Sequence, residues 1–468
     1  MTQQHLDSQQ LEMIVKRVIE QLHAPQKDGE RYGVYQTLDD AVAAAKIAQP
    51  HIRSLAKRNA IIASIRKLAS EHIQELSELA VQETGFGRVS DKIRKNRLVI
   101  DRTPGTEVLI PMAITGDHGL SLVENAPWGV IASVTPSTNP SATIINNSIS
   151  MIAAGNAVVF SPHPAAKAVS QRTIQLVNQA SVKAGGPNGI VTCLEVPTLE
   201  AATQLFSYPG IHLLTVTGGD AVVSAARKVT DKRLIAAGPG NPPVVVDETA
   251  DIERAAISIV QGASFDNNIV CVDEKEIIAV ESIADALKAA MVRNGAVEIS
   301  AQQAEAVAQL VLHDYPGPKA APKSEWVGRD AAKIAAAAGF EVPASTRLLL
   351  LEADYDHVFA RTEMMMPVIA MSRARDCDQA IDWAIELEND NKHSAAMHSR
   401  NIDNLSRMAE EINTSLFVKN GPCIAGLGAG GEGWASMTIS TPTGEGVTNA
   451  ATFVRKRRCT LVDAFRIV

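Results

Sequence analysis

Cys271 closes the stretch Gly262-Ala-Ser-Phe-Asp-Asn-Asn-Ile-Val-Cys271, just past the middle of the chain. The apolar spacing from Asp251 to Gln261 predicts a helix running into it, and Glu276-Ile-Ile-Ala-Val280 predicts a strand soon after. The thiol then stands on a connecting segment, where reactive groups are commonly displayed on a rigid scaffold. A cysteine thiolate is a strong nucleophile and a fair leaving group, which suits covalent acyl chemistry. A lone cysteine is more often a small buried apolar residue, so Cys271 needs support from the rest of the chain. Cys193, Cys377, Cys423 and Cys459 are widely spaced, with no C-x-x-C pair. They predict no disulfide framework and no metal site, and they fit a reducing compartment.

Two glycine signals bear on a cofactor. Thr217-Gly218-Gly219 follows the apolar run Ile211 to Val216 and opens a helical pattern. Backbone N–H groups and the helix dipole at such a start can hold a pyrophosphate, although a bare Gly-Gly is also an ordinary turn. The one G-x-G-x-x-G, Gly428-Ala-Gly430-Gly-Glu-Gly433, is followed by Trp434-Ala-Ser-Met-Thr-Ile, which reads as strand rather than helix. It lacks the setting of a dinucleotide fingerprint and reads as a flexible loop bordering a site.

The elements that must position these residues alternate. Strands are expected at Gly129 to Val134, Ala157 to Ser161, Ile190 to Val196, Ile211 to Val216 and Arg233 to Ala237. Helices are expected between them, at Pro140 to Ala153, Ala166 to Ala184, Leu199 to Phe206 and Ala221 to Thr230. Such an order implies an α/β fold with a parallel sheet, helices on both faces and ligands at the strands' carboxyl ends. Residues 38 to 88 read as helical, Thr106 to Ala126 as a hairpin turning at Gly116-Asp-His-Gly119, 243 to 433 as a second α/β segment, and the tail from Met437 as β-rich. Near the N-terminus, Leu11, Ile14, Val15, Val18, Ile19 and Leu22 follow helical spacing, and the polar linker Pro25-Gln-Lys-Asp-Gly29 comes after them. Such a helix is either an ordinary first helix or a docking element for a partner surface.

Composition narrows the class. The 468 residues suffice for two or three domains. Hydrophobic content of 46% and charged content of 21% are those of a globular protein, and aromatics at 4% favour Ala-rich α/β packing. A net charge of −8 argues against a nucleic-acid partner. The one basic cluster, Arg455-Lys456-Arg457-Arg458, lies in a strand-like segment. No apolar run is long enough to span a membrane, and no cleavable signal peptide is evident.

Several segments resemble the aldehyde dehydrogenase superfamily, in order: Pro136-Ser-Thr-Asn-Pro140, Ala154-Gly-Asn156, Thr217-Gly-Gly219, Gly240-Asn-Pro-Pro243, Cys271 and Glu363-Met-Met-Met-Pro-Val368. Within it, the chain resembles the CoA-acylating branch found in ethanolamine- and propanediol-utilisation microcompartments. That likeness rests on Ser133-Val-Thr-Pro-Ser-Thr-Asn-Pro140, Gly262-Ala-Ser-Phe-Asp-Asn-Asn268, Phe417-Val-Lys-Asn-Gly-Pro422, Gly430-Gly-Glu-Gly433 and Thr441-Pro-Thr-Gly-Glu-Gly446. It covers essentially the whole chain.

The resemblance implies a Rossmann-type cofactor domain (34–105 and 127–240), a catalytic α/β domain (241–445) and oligomerisation elements including a β hairpin (106–126 and 446–468). A targeting helix (1–24) and a linker (25–33) would precede them. It implies Cys271 as nucleophile, Thr138 or Asn139 as oxyanion donor, and His393 acting on a thiol proton. Pro136, Ser161, Pro162, His163, Thr217, Gly218, Gly219 and Glu363 would contact NAD. Coenzyme A would be the second substrate, an acetaldehyde- or propionaldehyde-sized aldehyde the first, with no metal. Hydrolytic members keep a glutamate where Ala236 stands in Leu234-Ile-Ala236-Ala-Gly238, so the thioester here would wait for a thiol instead of water. They also carry Lys and Glu for the adenosine ribose, where this chain has Phe160-Ser161-Pro-His163-Pro164. A homodimer or tetramer is implied, in the cytoplasm inside a bacterial microcompartment, docked on the shell or on sibling peptides through residues 1–24. The competing readings are a hydrolytic aldehyde dehydrogenase and, from another class, a non-catalytic microcompartment scaffold.

Overall fold

A computed structural model describes residues 32–467 apart from 318 and 464. The helix and most of the linker expected before residue 32 lie outside the described residues.

The first sheet has six parallel strands. Their order across the sheet is Val34–Tyr35, Val191–Leu194, Ala157–Pro162, Val130–Thr135, Leu213–Thr217 and Arg233–Ala237. Successive strands step outward from Val130–Thr135 on one side, then restart at Leu213–Thr217 on the other. A crevice opens at that reversal, beyond the strands' carboxyl ends. Helices on both faces explain why these strands are apolar along their length and do not alternate. Helix Pro140–Ala153 is buried at all of its residues. Its two asparagines are satisfied inside: Asn146 Oδ1 accepts from Met437 N (3.0 Å), and Asn147 Nδ2 donates to Ser133 Oγ (3.1 Å), whereas the buried hydroxyls of Thr143, Ser148 and Ser150 have no partner among the described residues.

The second sheet has seven parallel strands, ordered Ala296–Glu298, Leu348–Glu352, Val368–Ala374, Glu276–Val280, Pro243–Val246, Ser394–His398 and Leu416–Lys419. A third, antiparallel sheet joins the hairpin Met112–Gly116 and Gly119–Pro127 to the strand Val454–Val462.

Most expected elements lie within a few residues of those observed. Three differ. The helical region continues past residue 88 in a further helix, Val89–Arg102. The segment after Gly433 is a strand only at Ile439–Ser440, because its polar groups bond to helix Pro140–Ala153 instead of to a neighbouring strand. The Gly428–Gly433 loop does not line the cavity described below; Met437 and Ile439 do. Among the described residues no helix is long and apolar enough to cross a membrane.

Candidate active site

Helix Ile252–Ala263 starts on Asp251, whose side chain accepts from Arg254 N (3.2 Å). It ends in a turn where three successive residues are left-handed: Asp266 (φ 46°), Asn267 (φ 56°) and Asn268 (φ 65°). Asp and Asn are the side-chain-bearing residues that best tolerate this region, and each of these is tied to a different neighbour. Asp266 accepts from Arg88 N (2.9 Å), Lys92 Nζ (3.1 Å) and Lys95 Nζ (2.5 Å). Asn267 Nδ2 donates to Gly328 O (2.9 Å) and Asp330 Oδ1 (3.1 Å). Asn268 Nδ2 donates to Ala263 O and Glu274 O, both at 2.8 Å. Such over-determination is what holds a strained backbone in place. Lys275 then closes the loop around Cys271, donating to Asn268 O (2.9 Å) and Asn268 Oδ1 (2.6 Å).

Cys271 opens onto a cavity of ≈ 360 Å³ in the crevice of the first sheet. The carboxyl ends of its strands supply Pro136, Thr138 and Asn139, then Ser161, Pro162 and His163, then Thr217, Gly218 and Gly219, then Ala237 and Gly238. The second sheet faces it with the opposite ends of its strands. Pro239, Cys271 and Glu363 line the cavity shortly before the strands beginning at Pro243, Glu276 and Val368. A larger depression of ≈ 630 Å³ at Glu352, Asp354 and Trp383 contains no cysteine.

The glycine turn fits a phosphate-bearing cofactor. A Cβ at Gly219 would touch nothing within 4 Å, and one at Gly218 would meet only Val222, at 3.7 Å. Neither glycine is required by backbone packing, and both leave room at the start of helix Asp220–Val229, where an anion is favoured. His163 lines the same cavity; burial lowers its imidazole pKa from the ordinary value, and its Nδ1 accepts from Ala165 N (3.1 Å).

The electrostatics around the thiol disfavour charge. Burial, with the Glu363 carboxylate adding, pushes the Cys271 thiol up to about 12. Behind the loop, burial raises the Asp273 and Glu276 carboxyls well above their ordinary range and Glu274 to about 7. Burial pulls Lys92 down to about 8, with the Lys95 charge assisting and Asp266 opposing.

Ten of the sequence-derived positions therefore share one cavity with Cys271: Thr138, Asn139, Pro136, Ser161, Pro162, His163, Thr217, Gly218, Gly219 and Glu363. His393 does not line it. Its ring is fully buried just behind, its Nδ1 bonded to Ser394 Oγ (2.7 Å) and its Nε2 without a partner. A Cβ at Gly240 would meet the His393 ring at 2.8 Å and the Cys271 carbonyl oxygen at 3.0 Å, so Gly240 is what lets the two approach. Burial, with Lys275 adding, holds His393 down at about 4. Cys423 is fully buried in the second core, and its N–H donates to Glu274 Oε1 (2.7 Å). Ala236 is also buried in the core, and Ala237 takes the place at the cavity wall. Lys92 and Lys95 were not marked by the sequence reading. Their signal is a polar stripe, Asp91, Lys92, Lys95 and Asn96, at helical spacing on a face that turns out to be buried.

Comparison with known proteins places this arrangement. Residues 31–308 match the aldehyde dehydrogenase family. The acetylating acetaldehyde dehydrogenase EutE of Salmonella typhimurium (strain LT2) is 59% identical over 468 residues, covering 99% of this chain and 100% of that protein. Among solved structures, the Rhodopseudomonas palustris propionaldehyde dehydrogenase with bound CoA and an acylated cysteine is 46% identical, with a TM-score of 0.89 over 92% of this chain and 98% of that one. A propionaldehyde dehydrogenase from the Clostridium phytofermentans fucose utilisation bacterial microcompartment is 44% identical, with a TM-score of 0.91 over 93% and 100%. The chain belongs to the aldehyde dehydrogenase family.

Proposed function

We propose that this protein oxidises a short-chain aldehyde, of acetaldehyde or propionaldehyde size, and transfers the acyl group to coenzyme A through a thioester on Cys271. The observation that carries the reading is the meeting of Cys271 and the open Gly218–Gly219 helix start on one cavity, whose only carboxylate among the described residues is Glu363. The names of the relatives, acetylating and CoA-bound, agree with it.

Cys271 Sγ adds to the aldehyde carbon, and the carbonyl oxygen becomes an alkoxide. Thr138 or Asn139, with the Cys271 backbone N–H, provides donors for that charge. Pro136, Ser161 to His163, Thr217 to Gly219 and Glu363 would hold NAD, which would accept the hydride that leaves the aldehyde carbon. The carbonyl reforms and leaves Cys271 acylated. Coenzyme A thiol then adds to the thioester carbon, and Cys271 leaves as the thiolate and regains a proton. His393, fully buried behind the Cys271 loop and held down at about 4, would take the thiol proton only once bound substrates bring its unpartnered Nε2 to the cavity. Water is a poor rival because the only carboxylate lining the cavity among the described residues is Glu363, which is counted among the NAD contacts.

Absorbance at the NADH band tests this. With aldehyde and NAD alone, a burst of at most one equivalent per subunit is expected. Adding CoA should start steady turnover and yield acyl-CoA, and Cys271→Ala should remove both phases. Steady formation of free acid without CoA would replace this reading with the hydrolytic one. No NADH under any condition would favour a scaffold.

The assembly is proposed as a homodimer or tetramer through the 106–126 and 446–468 segments, flanking domains divided at residue 240. Residues 1–24 are proposed to dock on a microcompartment shell or on sibling peptides, in the cytoplasm. The helical spacing of their apolar residues and the microcompartment origin of a relative support this.

A further inference from the structure

The nucleophile loop and the Thr138–Asn139 loop are joined by a buried charge cluster on helix Val89–Arg102. Lys92 and Lys95 are each 2% exposed and Asp266 is fully buried. Lys95 Nζ donates to Asp266 Oδ2 (2.5 Å) and to Asn139 Oδ1. Lys92 Nζ donates to the same Asp266 oxygen (3.1 Å) and to the Thr138 carbonyl (3.3 Å). Another buried carboxylate nearby, Asp91, is engaged by Arg347 (3.3 Å), Arg94 (3.5 Å) and the Asp266 N–H (3.2 Å). Asp91 and the fully buried Asp273 also feel the charges of Lys92 and Lys95, respectively, but Asp266 is the one carboxylate among the described residues hydrogen-bonded to both ammonium groups. A tie between a helix and a loop needs only one, and a second buried cation is costly unless it serves something.

What it faces is informative. An ammonium only donates, so Lys95 fixes the Asn139 amide with its oxygen inward and its nitrogen outward. Asn139 Nδ2 then donates to Thr138 Oγ1 (3.2 Å). Having accepted there, the Thr138 hydroxyl has its proton free for the cavity, which Thr138 lines with Cys271. Each bond in such a chain polarises the next.

We propose that Lys95 is a positioning residue for the reaction: it fixes and polarises Asn139, and through it the Thr138 hydroxyl, toward the alkoxide that forms on the aldehyde. The inference rests on the function proposed above and names a residue that function did not require.

A double-mutant cycle tests it, with Lys95→Met, Thr138→Val and the pair, on NADH formation with saturating CoA. Lys95→Met leaves Asp266 with Lys92 and the Arg88 N–H, so it does not strand a carboxylate. Each single variant should lower kcat at least tenfold while NAD affinity stays within twofold. The double variant should be no slower than the slower single, because both act through one hydroxyl. A loss below tenfold for Lys95→Met, a parallel loss of NAD binding, or losses that multiply in the pair would overturn the proposal. Should Lys95→Met fail to fold, Lys95→Gln carries the same cycle; if neither folds, Lys95 is structural and the proposal fails. An inactive wild type would instead overturn the proposed function, so the two failures are distinct.

Discussion

A thiol held at about 12 is protonated at neutral pH, so Cys271 in the ligand-free protein is a poised group and not an activated one. The causes are local: burial first, then the facing Glu363 carboxylate. The thiolate fraction should then rise tenfold per pH unit throughout the accessible range. Alkylation of Cys271 by iodoacetamide, followed by peptide mass mapping, is expected to climb in that way from pH 6 to 9 without levelling. Cys459, exposed on the third sheet, gives an internal reference in the same digest. A plateau below pH 8 would show that the free protein activates its nucleophile, and would contradict the charge balance described here. Cys271 was legible in the sequence because a helical pattern before it and a strand pattern after it leave it on a connecting segment, within motifs that resemble the aldehyde dehydrogenase family. Lys92 and Lys95 were not legible. A polar stripe on a helix normally faces water, and only the burial of Asp266 across a gap of 171 residues turns it inward.

At the scale of elements, the alternation of strand and helix from 129 to 237 was readable because parallel strands covered on both faces are short, apolar and regularly spaced. Less readable was the return of 434–453, whose partners are polar side chains on a buried helix and not a repeating pattern. That return matters for specificity. Thr443 Oγ1 accepts the Ala236 N–H (3.0 Å), and a Cβ at Gly238 would meet Pro442 Cγ at 2.8 Å. The turn from Thr441 thus packs against the strand end where hydrolytic members carry their base. Ala236→Glu should consequently not create a hydrolase. It would bury an unpaired carboxylate at a cost of roughly 2–7 kcal/mol, read as a lowered Tm or loss of folded protein. Free acid released at a useful rate by a stable variant would refute this packing argument. The glycine turn makes the opposite case, a change felt only by the ligand. Gly219→Val adds side-chain atoms to open space, so Tm should hold while NAD affinity falls at least tenfold, about 1.4 kcal/mol. Equal affinity in the variant, by titration calorimetry, would separate the turn from the cofactor.

Across the whole molecule, the third sheet stands apart from the two cores. Both of its outer strands have open edges among the described residues, and Met112 and Ile114 on one of them are half exposed. Open apolar edges invite pairing with another copy, in line with the proposed assembly. Met112→Asp with Ile114→Asp should shift the sedimenting species toward the monomer; an unchanged mass would place the interface elsewhere. The opposite end of the chain bears on location rather than stability. Among the described residues the sheets and their cores are built from Val34 onward, and with residues 1–24 proposed as a docking element, catalysis should not need them. Six apolar residues at helical spacing can still contribute to docking, at about 0.8 kcal/mol per buried CH₂ less the cost of ordering the segment. That balance suits a reversible attachment. Deleting residues 1–24 is expected to leave kcat within twofold and to remove co-localisation with a microcompartment shell. Fusing them to a fluorescent protein should carry it there. A deletion that precipitates, or that still co-localises, would move the docking function to another surface.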